Sequence, residues 1–276
     1  AMVVLFALLL SVLLAFGRDI KVGFTAVITR EDVKTIKDFL DYLSKKTGFS
    51  FSPVFARSYD EMDFYLFNGK VDLAYICGAP YVEGHKKYGY YLVAVPLTSK
   101  GPYYYSYVIT KKDRPYRSIL DFEGKPYAFS DPKSNSGSVA PTYFLLKNGY
   151  FPTEFFKPLI YTYSHYESIM AVYKGFVEGA SVDSIVYEHT SLVAPHITNK
   201  LKVIQKFGPF PATPIVASKR LDPNTVEVIK SALLVMHQDE EGRKILKNMG
   251  ILGFTYLEPK HYETIAHMIS YIKKIR

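Results

Sequence analysis

The chain has 276 residues, 48% hydrophobic and 22% charged, with 34 Lys and Arg against 26 Asp and Glu for a formal charge of +8. That length allows one large domain or two modest ones, and the balance excludes a disordered, charge-driven polymer. The single cysteine, Cys77, excludes an internal disulfide and any multi-cysteine zinc or iron–sulfur site, and the scattered basic residues lack the run expected of a nucleic-acid arm.

Met2 to Phe16 is almost wholly apolar, broken only by Ser11, and polar sequence begins at Arg18 and Asp19. At about 15 residues the run has the length of a secretory h-region and falls short of the ~20 that span a bilayer. Ala15-Phe16-Gly17 supplies a small-x-small cleavage pattern. Residues 1–17 are therefore expected to be a signal peptide or, alternatively, an uncleaved N-terminal anchor. Either places the remainder outside the cytoplasm, in the periplasm or an equivalent compartment.

Beyond the apolar run, short strand-like stretches alternate with helix-period segments, the pattern of an α/β fold. Ile20–Val27 reads as a strand. Thr29 and Asp32 are spaced as a capping box, apolar residues recur through Leu43 at helical spacing, and Gly48 is a stop. Phe49–Phe55 then reads as strand, Tyr59–Phe67 as helix and Val71–Ile76 as strand, with a further helix opening near Pro80. A second series follows: strand Tyr127–Phe129, helix near Ser136–Leu146 with Pro141 disturbing its start, strand Leu159–Tyr163, helix His165–Tyr173, strand Ala180–Ile185 and strand Lys202–Phe207. Tyr104–Thr110 and Pro211–Ala217 are β-rich enough to cross between the two series. The C-terminal third reads as helices Asn224–His237, Glu240–Met249 and His261–Ile275. Two lobes are expected, one from 18–104 with 211–276 and the other from 105–210, each a mostly parallel sheet flanked by helices. Strand ends and helix N-termini would then meet in a cleft suited to a small anion.

The densest chemistry lies in Phe129-Ser130-Asp131-Pro132-Lys133-Ser134-Asn135-Ser136-Gly137-Ser138, between a strand and a helix. Ser134, Ser136 and Ser138 offer hydroxyl donors, and Gly137 permits close backbone approach, which suits a tetrahedral oxyanion. Local chemistry alone fits an ordinary capped turn equally well. Ser164 and Glu167 are spaced as a capping box that would put His165 in a first helical turn. Asp183 falls at or just past a strand end, free either to bond nearby backbone or to accept a proton from a protonated oxyanion. Cys77 ends a strand before a helix N-terminus, a setting that favours a thiolate, although a small buried residue is the commoner use. A nucleophile, base and orienter built from Cys77, His165 and Asp183 is a distant enzyme alternative.

The loop Asp131-Pro-Lys-Ser-Asn-Ser-Gly, with Pro141 four residues on, resembles that of the phosphonate-binding proteins of phosphonate and phosphite ABC transporters. Gly69-Lys-Val-Asp-Leu-Ala-Tyr75, Tyr104-Tyr-Ser, Asp121-Phe-Glu-Gly-Lys125, His165, Gly175 and Gly208-Pro-Phe-Pro-Ala-Thr-Pro214 agree in order and spacing. The resemblance implies a two-lobed type II periplasmic binding fold, hinge closure over phosphate, phosphite or an alkylphosphonate, and delivery to a membrane ABC permease. It implies a monomer with no cofactor, no metal and no catalytic activity. Anion contacts carried over from it fall on Ser134, Asn135, Ser136, His165, Tyr59 and Tyr104, with Gly137, Ser138, Tyr75, Cys77 and Asp183 expected beside them. Positions acidic in aminophosphonate binders align with Ile185 and Thr213, which cannot neutralise an ammonium, although Asp183, two residues from Ile185, could partly replace the lost carboxylate. Phosphate, phosphite, a small alkylphosphonate or another oxyanion is favoured over an aminoalkyl ligand. The family's arsenite-sensing relatives, which use a cleft cysteine, make arsenite bound at Cys77 and a membrane sensor kinase the alternative.

Overall fold

The computed structural model describes residues 17–25 and 32–275. The apolar run 2–16, the end of the expected first strand at Ala26 and Val27, and Thr29 of the expected capping box lie outside the described residues.

In chain order the strands are β1 (Asp19–Phe24), β2 (Ser50–Phe55), β3 (Leu73–Tyr75), β4 (Tyr91–Leu97), β5 (Tyr103–Lys111), β6 (Tyr127–Phe129), β7 (Leu159–Tyr161), β8 (Gly179–Asp183), β9 (Leu201–Pro211), β10 (Ile215–Ala217) and β11 (Gly253–Thr255). The main helices are α1 (Val33–Thr47), α2 (Tyr59–Phe67), α3 (Gly78–Tyr88), α4 (Ala140–Lys147), α5 (His165–Tyr173), α6 (Ser184–Val193), α7 (Pro223–Leu234), α8 (Glu240–Asn248) and α9 (Glu263–Ile275). A six-stranded sheet has the order β11-β4-β10-β3-β1-β2, and a five-stranded sheet the order β7-β6-β8-β5-β9.

The expectation of mostly parallel sheets needs correction. β1 pairs parallel with β2 and β3, but β10 runs antiparallel to both β3 and β4, and β11 antiparallel to β4. In the other sheet β6 pairs parallel with β7 and β8, while β5 runs antiparallel to β8 and β9. The cause is the double crossing of the chain. It enters the five-stranded lobe along β5 and leaves along β9, so these strands lie side by side in opposite directions, and β10 returns between β3 and β4. β4 and β11 carry no alternating pattern and were not anticipated. β4 is a buried apolar run, and β11 is three residues long, paired only to β4.

Local signals that depend on near neighbours appear as expected. The Gly48 stop adopts the left-handed conformation at φ 77° and caps α1 through its N–H on the Ser44 carbonyl. α2 and α5 have the expected bounds. Pro141 leaves its mark at the start of the fourth helix, where residues Asn135–Val139 form a π-helical turn before the α-helix begins at Ala140. Asp183 ends β8 by capping α6, so Ile185 lies on a helix and not, as expected, on the strand.

One cluster joins Val22, Phe24, Phe39, Leu73 and Ile229 across the six-stranded lobe and continues into the other lobe through Tyr104, Val139, Ile185 and Phe210. Alternation on β5 sends Tyr107 and Ile109 to one face of the five-stranded sheet and Val108 to the other, so that lobe has a cluster on each side. α9 packs on both α3 and α4 and bridges the lobes.

Candidate binding site

β7, β6 and β8 are adjacent and parallel, so their C-terminal ends lie on one edge of the sheet. β6 leads into the Ser134 loop, β7 into α5 and β8 into α6. Three helical starts therefore share one edge, each with backbone N–H groups and the positive end of a helix dipole.

The serine loop is wound tightly on itself. Ser134 Oγ accepts from Gly137 N at 3.1 Å, and Ser134 O accepts from Ser138 N and Val139 N at 3.0 and 2.9 Å. Ser106, on β5, donates its hydroxyl to Ser136 O at 2.5 Å and fixes the loop from below. Gly137 is spatially required: a Cβ there would lie 1.8 Å from Ser130 Oγ. Ser134, Asn135 and Ser136 are fully buried and Ser138 nearly so.

His165 opens α5, with the Ser164 hydroxyl accepting from Glu167 N at 3.2 Å, the Ser164 half of the expected capping box. Its Nδ1 lies 3.2 Å from Asp183 N, a backbone donor, so Nδ1 is the unprotonated nitrogen of a neutral ring and Nε2 carries the hydrogen. Burial pulls the imidazole down to about 3, which keeps the ring neutral at physiological pH. Nε2–H is 3.5 Å from Ser134 Oγ, a distance long enough to leave the donor available. Asp183 is fully buried, and its Oδ1 accepts from Ile185 N at 2.6 Å and Val186 N at 3.2 Å. Burial pushes its carboxyl up to about 7, against the lowering effect of those two backbone bonds.

The six-stranded lobe covers this edge. Tyr59 N, at the start of α2, donates to Asp131 Oδ2 at 2.9 Å, and Lys133 Nζ reaches Asp60 at 2.6 Å and Asp63 at 3.4 Å. Both contacts join the serine loop to α2. Burial pushes the Tyr59 hydroxyl well above its ordinary range, with Thr25 pulling the other way, yet neither oxygen has a partner in hydrogen-bond geometry among the described residues. Cys77 Sγ accepts from Asn135 N at 3.1 Å and lies 3.5 Å from Tyr104 Oη, which accepts from Asn135 Nδ2 at 3.0 Å. Tyr75 Oη accepts from Thr213 at 3.4 Å.

The thiolate expectation for Cys77 is corrected. Burial pushes the thiol up and outweighs its bonds to Tyr104 and Asn135 N, so Cys77 is a neutral bridge between the lobes. Cys77, His165 and Asp183 also have separate partners: the thiol meets Asn135 and Tyr104, the imidazole meets Ser134 and Asp183 N, and the carboxylate caps α6.

One property separates this region from an ordinary polar core. Thr25 Oγ1, Tyr59 Oη, Ser130 Oγ, Asn135 Oδ1, Ser136 Oγ and Asp183 Oδ2 are all buried without a hydrogen-bond partner among the described residues. Each such atom costs about 1 to 3 kcal/mol, so natural cores rarely keep several together. The two ends of the Asn135 amide are interchangeable at Tyr104, so its free end is equally an N–H₂ donor. Thr25 was read only as part of the first strand, and Ser130 and Asp131 were quoted in the serine loop without a role at the site. Asp131 accepts from Lys133 N within the loop and from Tyr59 N of the other lobe, and only the second bond depends on tertiary structure.

A family model described as "ABC transporter, phosphonate, periplasmic substrate-binding protein" matches residues 22–262. The chain belongs to that family. Membership makes it the extracytoplasmic binding component of a transporter, not an enzyme, with a small-molecule ligand and a membrane permease as its partners. Among solved structures, a binding protein component of an ABC phosphonate transporter from Pseudomonas aeruginosa is 23% identical, with TM-score 0.85, covering 92% of this chain and 86% of that one. PhnD1 of Prochlorococcus marinus, in complex with methylphosphonate, is 20% identical, with TM-score 0.84 and coverage of 93% and 98%. A Xanthomonas citri protein bound to chloride is 16% identical, with TM-score 0.74 and coverage of 94% and 99%. These likenesses show the two-lobed fold. No helix among the described residues is long and apolar enough to cross a membrane.

Proposed function

We propose that the protein captures a small phosphorus oxyanion, an alkylphosphonate such as methylphosphonate or else phosphite or phosphate, by closing its lobes around it. An N-terminal signal within residues 1–17 would export the chain, and the closed form would deliver its ligand to the ABC permease. The observation that carries this reading is the group of buried, unpartnered hydroxyl, amide and carboxylate atoms at the edge where three helices begin. Ser136, Tyr59, Thr25 and the Nε2–H of His165 supply donors to anion oxygens, and the helix starts add partial positive charge. Asn135 and Tyr104 hold one another in register within the five-stranded lobe, and Cys77 ties both to the other lobe. The methylphosphonate complex of PhnD1 supports a ligand of this size.

A largely apolar cleft lined by Phe24, Tyr75, Ile185, Val186 and Met249, with Asp32, His189 and Asn248 also on its wall, adjoins the polar group through Tyr75 and Ile185. It fits a short alkyl substituent. An ammonium finds no compensation at Ile185 or at Thr213, whose hydroxyl is already bonded to Tyr75. Calorimetric titration of the mature chain with methylphosphonate, phosphite, phosphate, 2-aminoethylphosphonate and arsenite tests the reading. Heat with the first three, and little with the last two, is expected. Silence with every phosphorus oxyanion would defeat it.

A further inference from the structure

The unpartnered Asp183 Oδ2 stands out because it is an acceptor in a site otherwise made of donors. Asp183 ends β8, directly across from Ser106 on β5, and Ser106 holds the Ser136 carbonyl. The carboxylate therefore belongs to the same buried layer as the serine loop. Its Oδ1 is saturated by Ile185 N and Val186 N, and its side chain is fully buried, so Oδ2 alone remains for a ligand. A fully deprotonated oxyanion would meet hydrogens at Ser136, Tyr59, Thr25 and His165, but at Oδ2 it would place oxygen against oxygen with no hydrogen between them. In a buried site that contact is strongly unfavourable.

We propose, resting on the oxyanion-binding reading, that the closed complex holds one proton between Asp183 Oδ2 and a ligand oxygen. The site thereby selects tetrahedral oxyanions that keep a hydrogen near neutral pH over sulfate and sulfonates, which do not. The proton balance is the same by either route. A singly protonated phosphonate meets the Asp183 carboxylate, or a phosphonate dianion meets the Asp183 carboxylic acid, and each gives an O–H···O bond with one hydrogen. Phosphomonoesters lose their second proton at about pH 6, so the required hydrogen is available on ligands of this class.

The surroundings favour the shared proton. Burial lifts the Asp183 carboxyl to about 7, and Glu188 on α6 adds to the lift. Glu188 is itself paired with Lys100 and accepts from Tyr107. The other titratable groups near Asp183 are Tyr59 on α2, Tyr75 and Cys77 at the end of β3, Tyr104 on β5 and His165 on α5. Burial holds the four hydroxyl and thiol groups up in their protonated forms and His165 down in its neutral form. None of these supplies a positive charge to balance a second negative one.

Calorimetry with methylphosphonate from pH 6 to 9, in paired buffers of different ionisation heat, counts the protons taken up on binding. The ³¹P shift of bound methylphosphonate is followed over the same range. Wild-type protein is expected to take up close to one proton at pH 9, to lose affinity about tenfold per pH unit at the alkaline end, and to give a bound ³¹P shift independent of pH. Asp183→Asn keeps the α6 cap and puts an N–H₂ at the Oδ2 position. It should bind methylphosphonate without proton uptake, lose the alkaline decline and gain affinity for sulfate. Binding without proton uptake in the wild type, or the same pH profile in both proteins, overturns the inference and leaves oxyanion binding intact. No binding of any oxyanion at any pH overturns both. If Asp183→Asn does not fold by circular dichroism, the wild-type proton count and the ³¹P shift still decide.

Discussion

Two serine turns in the five-stranded lobe use the same residue types and end in opposite states. At Ser118 the hydroxyl accepts from Leu120 N at 3.2 Å, and Asp121 Oδ2 accepts from Ser118 N and Arg117 N at 3.0 and 2.6 Å. This capping box is complete, and its bonds lie at the surface. At Ser134 the same start continues into a π-helical turn, and Ser136 Oγ and Ser130 Oγ are left buried without partners among the described residues. The difference is the second lobe. Solvent completes what the Ser118 turn leaves over, while α2 and β3 remove solvent from the Ser134 turn and satisfy only part of it, through Cys77 with Asn135 N and Tyr59 N with Asp131. A serine-rich helix start becomes a candidate anion site when another element excludes water from it without supplying all its partners.

The largest effect should come from removing donors at the Ser134 turn. Ser136→Ala and His165→Ala are each expected to weaken methylphosphonate binding by tenfold to a hundredfold, since a hydrogen bond to a charged group is worth about 1.5 to 3 kcal/mol. The double mutant should depart from the sum because both groups serve one ligand. Unchanged affinity in both single variants, with native circular dichroism, would return the Ser134 turn to the same class as Ser118 and break the comparison.

Gly137→Ala sharpens it by testing the packing of the loop. The added Cβ would lie 1.8 Å from Ser130 Oγ and 3.0 Å from Ser134 Oγ, so the turn must open. Overpacking of this kind costs about 1 to 3 kcal/mol, which chemical denaturation would register together with weaker binding. Full stability with native affinity would mean that the turn is loosely held.

The smallest effect belongs to the surface turn. Ser118→Ala should cost about 1 kcal/mol of stability, as loss of a cap usually does, and leave calorimetric affinity within error. A fall in affinity there would show that capping in this lobe acts on the ligand indirectly, and the two turns would no longer be distinct.

Much of the architecture was legible because it rests on interactions within a few residues. The Gly48 stop, the bounds of α2 and α5, the Ser164 cap and the break at Pro141 are all settled by backbone groups three to five positions apart. β4 and β11 escaped because an apolar run and a three-residue strand declare themselves only by pairing with each other and, for β4, with β10. Ile185 was placed on the wrong element because Asp183 reads equally well as the last residue of a strand or the cap of a helix.

By itself the sequence determined an α/β chain with one thiol, a serine loop between a strand and a helix, His165 in a first turn, and a resemblance that led to the family. Those properties follow from periodicity, capping chemistry and local order. Only the tertiary structure decided that Cys77 is a neutral bridge, that His165 carries its hydrogen on Nε2, that Asp131 and Lys133 reach α2, and that Asp183 keeps one oxygen without a partner among the described residues. Each of these depends on burial or on a partner far away in sequence, such as Cys77 for Asn135 or Tyr59 for Asp131. Protonation and hydrogen-bond satisfaction are set by what surrounds a group in space, and a linear pattern does not contain that.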